Sequence, residues 1–308
     1  MSLCAFPGYP VNWRPFQSAN GKTAMPYQCP LCHAPLHQKQ QSFSCSNNHQ
    51  FDMAKEGYVN LMPVQHKHSK DPGDNKDMMQ ARRRFLEQGH YNPLREKVAQ
   101  RCLELLNLRE NSHVPELLDI GCGEGFYTAH VAELLNSTNA QAEIYGLDIS
   151  KTAVRYAAKR YKNCHFCVAS SHRLPFADES LDAILRIYAP CKPEELQRCI
   201  RPGGLFMTVT PAARHLYQLK ELIYQQVHLH TDQDESGHGF VLESRENLHY
   251  TMKMTGAQAH DLLQMTPFAW KASESVKADL HSRASFDCEA GFTLSIYRKT
   301  DRKGIAFA

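Results

Sequence analysis

The chain has 308 residues, enough for one large or two unequal domains, and its 42% hydrophobic and 22% charged residues are ordinary for a soluble globular protein. No apolar run of about 18 residues occurs, which excludes a helical membrane span, and residues 1–16 lack both a lysine and a continuous apolar stretch, so no secretory signal is expected. A formal net charge of +3 with 17 histidines neither requires nor excludes a nucleic-acid partner, which leaves that question to local clustering.

Residues 1–26 are rich in Pro, Gly, Asn and Ser without periodicity and are expected to form a disordered arm. Met25 stands four residues before Cys29, so the stretch before it is expected to be dispensable and Met25 to be an alternative start. Residues 27–62 read as a small domain of turn-like Cys clusters joined by short strands. Residues 63–92 read as a basic linker and helix, with a turn at Asp71-Pro72-Gly73-Asp74. Residues 93–300 form the main domain, where strand and helix patterns alternate. Leu94, Val98, Cys102 and Leu105 predict a helix from Leu94 to Leu108. Glu116–Ile120 predicts a strand that opens into a glycine turn, followed by a helix over Phe126–Leu135 and a second strand over Glu143–Leu147 ending in Asp148. A helix over Ser150–Tyr161 and strands over His165–Ala169, Leu181–Ile187 and Leu205–Val209 come next. Repeated strand–helix units imply an α/β fold, a parallel sheet with helices on both faces, and Phe286–Tyr297 alternates like one or two closing antiparallel strands.

The 11 cysteines, in the reducing cytoplasm where the protein is expected, read as metal ligands or buried thiols. Cys29-x2-Cys32-x12-Cys45-x3-His49 is the strongest metal signal: two short-spaced pairs on separate turns can each aim two side chains at one tetrahedral zinc ion. So short a module cannot bury enough core alone, and structural zinc, one per chain, would supply folding energy. Cys29-Pro-Leu-Cys32-His33 also fits haem attachment, which needs export and leaves Cys45 and His49 idle, or a redox pair, which no βαβ pattern surrounds; His33 competes with His49 as fourth ligand.

In the run Asp119-Ile120-Gly121-Cys122-Gly123-Glu124-Gly125 the glycines allow a tight turn and close approach of a ligand. The third glycine comes one residue too early for a dinucleotide fingerprint, and Asp119 is a poor neighbour for a pyrophosphate. Asp119 suits an ammonium or sulfonium instead. Asp148, at a strand end, can take both ribose hydroxyls, and Ala169-Ser170-Ser171 is placed to meet an adenine edge. Together they point to S-adenosylmethionine, with helix capping by Asp119 and Asp148 as the plainer alternative.

Cys29-Pro-Leu-Cys32, the run from Cys45 to His49, the block from Gln50 to Leu61, Asp71 to Asp74, the Phe85–Leu94 stretch with His90-Tyr91, and Arg186-Ile187-Tyr188-Ala189-Pro190-Cys191 together resemble the bacterial 23S rRNA guanine-N1-methyltransferases. The resemblance runs from about Met25 to the C-terminal strands; the residues before Met25 have no counterpart in it. It implies a zinc-ribbon-like N-terminal domain, a Rossmann-like class I methyltransferase domain, a homodimer, and methylation of guanine N1 in a hairpin of large-subunit ribosomal RNA. It implies zinc on Cys29, Cys32, Cys45 and His49, and Tyr91, the Gly121–Gly125 loop, Asp148 and His215 around the cofactor. Packed-aromatic and helix-start roles are the alternatives for Tyr91 and His215.

Methylating guanine N1 requires an aligned methyl group, loss of the N1 proton and a base drawn out of its stack. Tyr188 could stack on that base and Pro190 stiffen its loop; His172, His90 and His215 are candidate bases, and Cys191 is the alternative as a covalent nucleophile. Lys55, His66, Lys67, His68, Lys70, Arg82, Arg83 and Arg84 concentrate positive charge for RNA, or form a solvated face. Two rival functions are a small-molecule methyltransferase with an enclosed apolar pocket and a non-catalytic zinc-ribbon regulator that senses S-adenosylmethionine.

Overall fold

A computed structural model describes residues 25–63, 75–107, 114–138, 142–231 and 234–300. The expected arm over residues 1–24 and the basic positions His66, Lys67, His68 and Lys70 lie outside the described residues. Met25 and Pro26, assigned to that arm, are described: Met25 packs against the core, and the Pro26 carbonyl accepts the Ala177 N–H at 2.8 Å.

Three strands, β1 (His37–Lys39), β2 (Ser42–Ser44) and β3 (Gln50–Asp52), form a small antiparallel sheet in the order β1-β2-β3. A fourth, β4 (Tyr58–Asn60), lies within the stretch read as the zinc module yet pairs in parallel with β7 (His165–Val168) as the edge of the large sheet. Aromatic rings complete this junction. Tyr27 meets Phe43 at 5.6 Å, Tyr145 at 5.8 Å and Phe176 at 5.1 Å between centroids, all four rings being buried. Burying rings of this size is worth roughly 1.5–3 kcal/mol each, so the metal is not the module's sole support.

The remaining strands of the large sheet are β5 (Glu116–Ile120), β6 (Glu143–Asp148), β8 (Leu181–Ile187), β9 (Ile200–Pro211), β10 (Phe240–Met254) and β11 (Phe286–Lys299). Its order is β10-β11-β9-β8-β5-β6-β7-β4, parallel from β4 to β9, with β11 and β10 antiparallel. β5 and β8 are almost wholly buried, as strands covered by helices on both faces must be. The chain moves outward from β5 in both directions, so the topological switch falls between β5 and β8, where open α/β sheets leave a crevice at the strand ends.

The helices that position the site are α1 (Lys76–Glu87), α2 (Asn92–Asn107), α3 (Phe126–Ser137) and α4 (Lys151–Arg160). α2 buries Leu94, Val98, Cys102 and Leu106, with Leu105 only half-buried. α4 starts at Ser150, whose hydroxyl accepts the Ala153 N–H at 3.3 Å.

The C-terminal third departs from the expected alternation. The strand expected at Leu205–Val209 runs over Ile200–Pro211, because the Pro-Gly-Gly turn is absorbed into it. Phe286–Tyr297 belongs to one 14-residue strand, paired along its length with the 15-residue β10, which sequence reading missed. β10 is an edge strand rich in charged and polar side chains, which hides the apolar signal of a strand. α5 (Pro193–Cys199), α6 (Tyr217–Glu221), α7 (Gly256–Gln264), a 3-10 turn at Pro267–Trp270 and α8 (Glu274–Ser282) were likewise not anticipated. α7 carries a full capping box from Thr255 and Gln258, a signal that was available in the sequence.

Candidate metal centre and methyl-transfer site

Each cysteine pair sits on a tight turn. Cys29 N donates to Ala34 O at 2.8 Å and Cys45 N to His49 O at 3.1 Å, with His33 and Asn48 in the left-handed region at φ 60° and 59°. The ligand atoms of Cys29, Cys32, Cys45 and His49 all lie within 4.8 Å of one another. Cys32 Sγ to Cys45 Sγ is 3.7 Å, and His49 Nδ1 lies 3.4 Å from Cys29 Sγ and 3.5 Å from Cys45 Sγ. Tetrahedral zinc with Zn–S of about 2.3 Å and Zn–N of about 2.0 Å requires edges of about 3.8 and 3.5 Å, so this donor set fits the ion. His33 is exposed and stands outside the cluster, which decides the fourth ligand in favour of His49.

The glycine loop is held from beneath. Gly121 N and Cys122 N both donate to Leu147 O, at 2.8 and 3.0 Å, pinning the loop to the end of β6. Gly123 N donates to Asp148 Oδ2 at 2.9 Å, while Asp148 Oδ1 accepts Ser150 N at 2.8 Å. Asp148 remains half-exposed. A Cβ on Gly121, at φ +74°, would stand 2.5 Å from Ala189 Cβ, whereas one on Gly123, at φ +55°, would meet nothing within 4 Å. The first glycine therefore serves packing between the ends of β5 and β8, and the second faces open space. An open glycine beside a strand-end carboxylate suits an adenosyl ligand.

Asp119 is buried beneath the loop and accepts the Thr128 hydroxyl at 2.6 Å; burial, opposed by that bond, raises its carboxyl to about 7. The Cys122 side chain is buried too, so only its backbone is presented to the loop. Gly125, at φ +81°, starts α3 without a side-chain cap. The Ser170 hydroxyl accepts His172 N at 3.2 Å inside a tight turn after β7.

The other wall is aromatic. Phe292, fully buried on β11, gathers His215 at 4.9 Å, Tyr91 at 5.3 Å, Tyr250 at 6.2 Å and Tyr188 at 6.5 Å between ring centroids. Tyr91 also packs edge-on against Phe85 at 5.1 Å and is buried. Tyr188 differs: it is 48% exposed, with φ +56°, directly after β8. Its neighbour Ala189 touches the glycine loop, so the two walls meet there. Sequence reading missed Phe292; its place in the alternating pattern of β11 is the only signal that marks it.

The candidate bases fare poorly. Burial is the main cause that lowers His215 to about 3, and its Nδ1 accepts the Gly291 N–H at 3.3 Å, so the neutral ring carries its proton on Nε2. His90 is lowered by the same cause. Burial pushes the Cys191 thiol up to about 12, and its Sγ donates to Ser171 O at 3.1 Å, an environment that disfavours the thiolate a nucleophile needs. His172 is exposed and lines a cleft of about 830 Å³ with Gln28 and His33 of the zinc module, Arg173 and Lys192.

Arg82, Arg83 and Arg84, expected to offer charge to RNA, each hold a partner within the chain. Arg83 forms a two-pronged pair with Glu124 at 2.8 and 2.6 Å, Arg84 pairs with Asp261 at 2.9 and 2.5 Å, and Arg82 donates to Met265 O at 3.3 Å. Arg83 is half-buried against the glycine loop, whereas Arg84 and Arg82 reach α7 and its C-cap, and Arg84 stays exposed with its side chain 56% accessible. Lys55 remains exposed.

Residues 27–70 match the family model described as RlmA, N-terminal, and residues 112–262 match one described as methyltransferase domain. The chain is 32% identical to the 23S rRNA (guanine(748)-N(1))-methyltransferase of Streptomyces fradiae over 79% of its own length and 85% of that protein's. It is 30% identical to YxjB of Bacillus subtilis (strain 168), named provisionally for the same guanine-N1 activity, over 85% of its length and 93% of that protein's. A third relative so named, from Micromonospora griseorubida, is 34% identical over 62% of this chain and 68% of its own.

Proposed function

The chain belongs to the family of 23S rRNA (guanine-N1)-methyltransferases, and we propose that it is itself an S-adenosylmethionine-dependent enzyme methylating guanine N1 in 23S ribosomal RNA. The observation that carries the reading is the meeting of two walls: the loop closed by Gly123 and Asp148, and the exposed ring of Tyr188 beside Ala189. S-adenosylmethionine supplies the electrophilic methyl group. Asp148 would hold the ribose hydroxyls on lone pairs left over from Gly123 and Ser150, with Gly121–Gly125 and Ser170 alongside the cofactor. Asp119, deep under the loop and raised to about 7 by burial, would be drawn toward its ionised form by the cationic end of the cofactor and would favour that end in return.

Tyr188 would stack on the extruded guanine, against the wall formed by Phe292, His215 and Tyr91. His215, neutral and donating from Nε2, suits a hydrogen bond to an acceptor better than removal of the N1 proton. The cleft beside the zinc module carries charges of both signs, Arg173, Lys192 and Arg198 against Asp178, Glu194 and Glu195, and is not the enclosed apolar pocket that a small-molecule methyltransferase would need.

Three finer parts belong to the same reading: a hairpin as the target, a homodimer and a cytoplasmic location. They rest on the family resemblance and, for location, on where ribosomal RNA is found; among the described residues no helix is long and apolar enough to cross a membrane. Sedimentation equilibrium reads the oligomer. Mass spectrometry of 23S rRNA nucleosides from a deletion strain tests the function: N1-methylguanosine should fall and return on complementation. An unchanged level would overturn it.

A further inference from the structure

Arg83 is the one member of its triplet that reaches the cofactor loop. Its Nε and Nη2 grip both carboxylate oxygens of Glu124, the residue between Gly123 and Gly125, and its guanidinium lies 4.4 Å from the ring centroid of Tyr156 on α4. Glu124 belongs to the loop and Tyr156 to the helix that follows Asp148, so one side chain on α1 touches both halves of the cofactor seat. The loop needs such an anchor. Gly121, Gly123 and Gly125 all have positive φ, and a segment with three glycines loses much conformational freedom when it orders. A planar fork held on two oxygens and flanked by an aromatic ring restricts that segment more than a single point charge would.

α1 is in turn fixed to the body of the domain. Arg84 pairs with Asp261 on α7, Arg82 bonds the carbonyl of Met265, and Phe85 is fully buried. The anchor is thus stiff at its far end.

We infer that Arg83 is a positioning residue for S-adenosylmethionine, acting through Glu124 to hold the glycine loop in its binding shape before the cofactor arrives. The inference rests on the reading of Gly121–Gly125 and Asp148 as the cofactor's seat.

The test uses the full chain and five variants: Arg83→Gln, Glu124→Gln, the exchanged pair Arg83→Glu with Glu124→Arg, Arg84→Gln as a control for the docking of α1, and Asp148→Ala as a control for the seat. Calorimetry of S-adenosylmethionine and S-adenosylhomocysteine should show affinity about 5- to 10-fold weaker in Arg83→Gln and Glu124→Gln, the size expected for a charge-assisted pair. KM for the cofactor should rise with it while kcat stays within about twofold, since the interaction is made equally in ground and transition states. The exchanged pair should recover most of the loss, and Arg84→Gln, which leaves buried Phe85 and the bond from Arg82 to Met265 O to hold α1, should keep native affinity. Hydrogen exchange of the loop amides without cofactor should quicken in Arg83→Gln and not in Arg84→Gln. Unchanged affinity in Arg83→Gln, or an equal loss in Arg84→Gln, would overturn the inference. Asp148→Ala separates the two levels: if it too leaves affinity unchanged, the seat itself is misassigned, and if it alone weakens binding, only the role of Arg83 falls.

Discussion

Gly123 donates its backbone N–H to Asp148 Oδ2 at 2.9 Å, which joins the turn of the glycine loop to the carboxylate at the end of the neighbouring strand. Asp148 is therefore both a candidate ribose ligand and a clasp of the loop that would hold the rest of the cofactor. Replacing it removes two functions together. Asp148→Ala should weaken S-adenosylmethionine by about 1–3 kcal/mol, and Asp148→Asn, which keeps an acceptor for Gly123, by less. Calorimetry giving equal affinities for the wild type and both variants would contradict this.

The glycines of the loop should separate by variant. Gly121→Ala places a methyl 2.5 Å from Ala189 Cβ at φ +74°, so it should lower the melting temperature as well as cofactor binding. Gly123→Val meets no atom within 4 Å, but φ +55° strains a β-branched side chain, so it too should lower the melting temperature, with a loss of affinity beyond what that strain explains because it intrudes where the ligand approaches. Thermal melts with and without cofactor distinguish the two patterns.

Zinc should remain with the protein through purification at one ion per chain, and Cys32→Ser or His49→Ala should release it. Because β4 and Tyr27 tie the module to the large sheet, ion loss should lower stability without unfolding the sheet. Elemental analysis paired with circular dichroism checks both halves; full zinc retention in either variant would reject the ligand set.

His215 makes stability depend on pH. Its folded-state value of about 3 lies below its ordinary one, so its contribution is fully present above about pH 6.5 and is lost as pH falls toward 3. Asp119, raised to about 7, works in the opposite sense, its contribution being lost as pH rises from about 4 to 7. His215→Asn keeps an acceptor for Gly291 while removing the titration. Its urea-unfolding free energy should lose about 1–2 kcal/mol less than the wild type's between pH 7 and pH 5. Parallel profiles would show that burial does not suppress protonation of this ring.

Tyr188 should govern turnover. With a side chain 48% exposed beside the loop, Tyr188→Ala should cut kcat on rRNA about 10-fold or more and leave cofactor affinity intact, while Tyr188→Phe, which keeps the stacking face, should stay near wild type. Single-turnover assays with a 23S fragment check it, and an active Tyr188→Ala would remove stacking from the mechanism.

Short-range spacing determined much of this protein. Cys29, Cys32, Cys45 and His49 were legible because two-residue and three-residue gaps close one turn around one ion. The strands at Glu116–Ile120 and Glu143–Asp148 were legible because a buried parallel strand is a continuous apolar run. The glycine loop between β5 and α3 showed itself through its three glycines. What the tertiary structure alone decided lies at long separation. Arg83 meets Glu124 across 41 positions and Arg84 meets Asp261 across 177, partners that the run of three arginines could not reveal. Phe292 was anonymous until β11 brought it against His215, Tyr91 and Tyr188. β4 entered the large sheet because β7 offered it an open edge. The physical reason is common to all three: periodicity and spacing report geometry within a turn or a strand, whereas an ion pair, a ring cluster and a sheet edge depend on which distant segments the fold brings together.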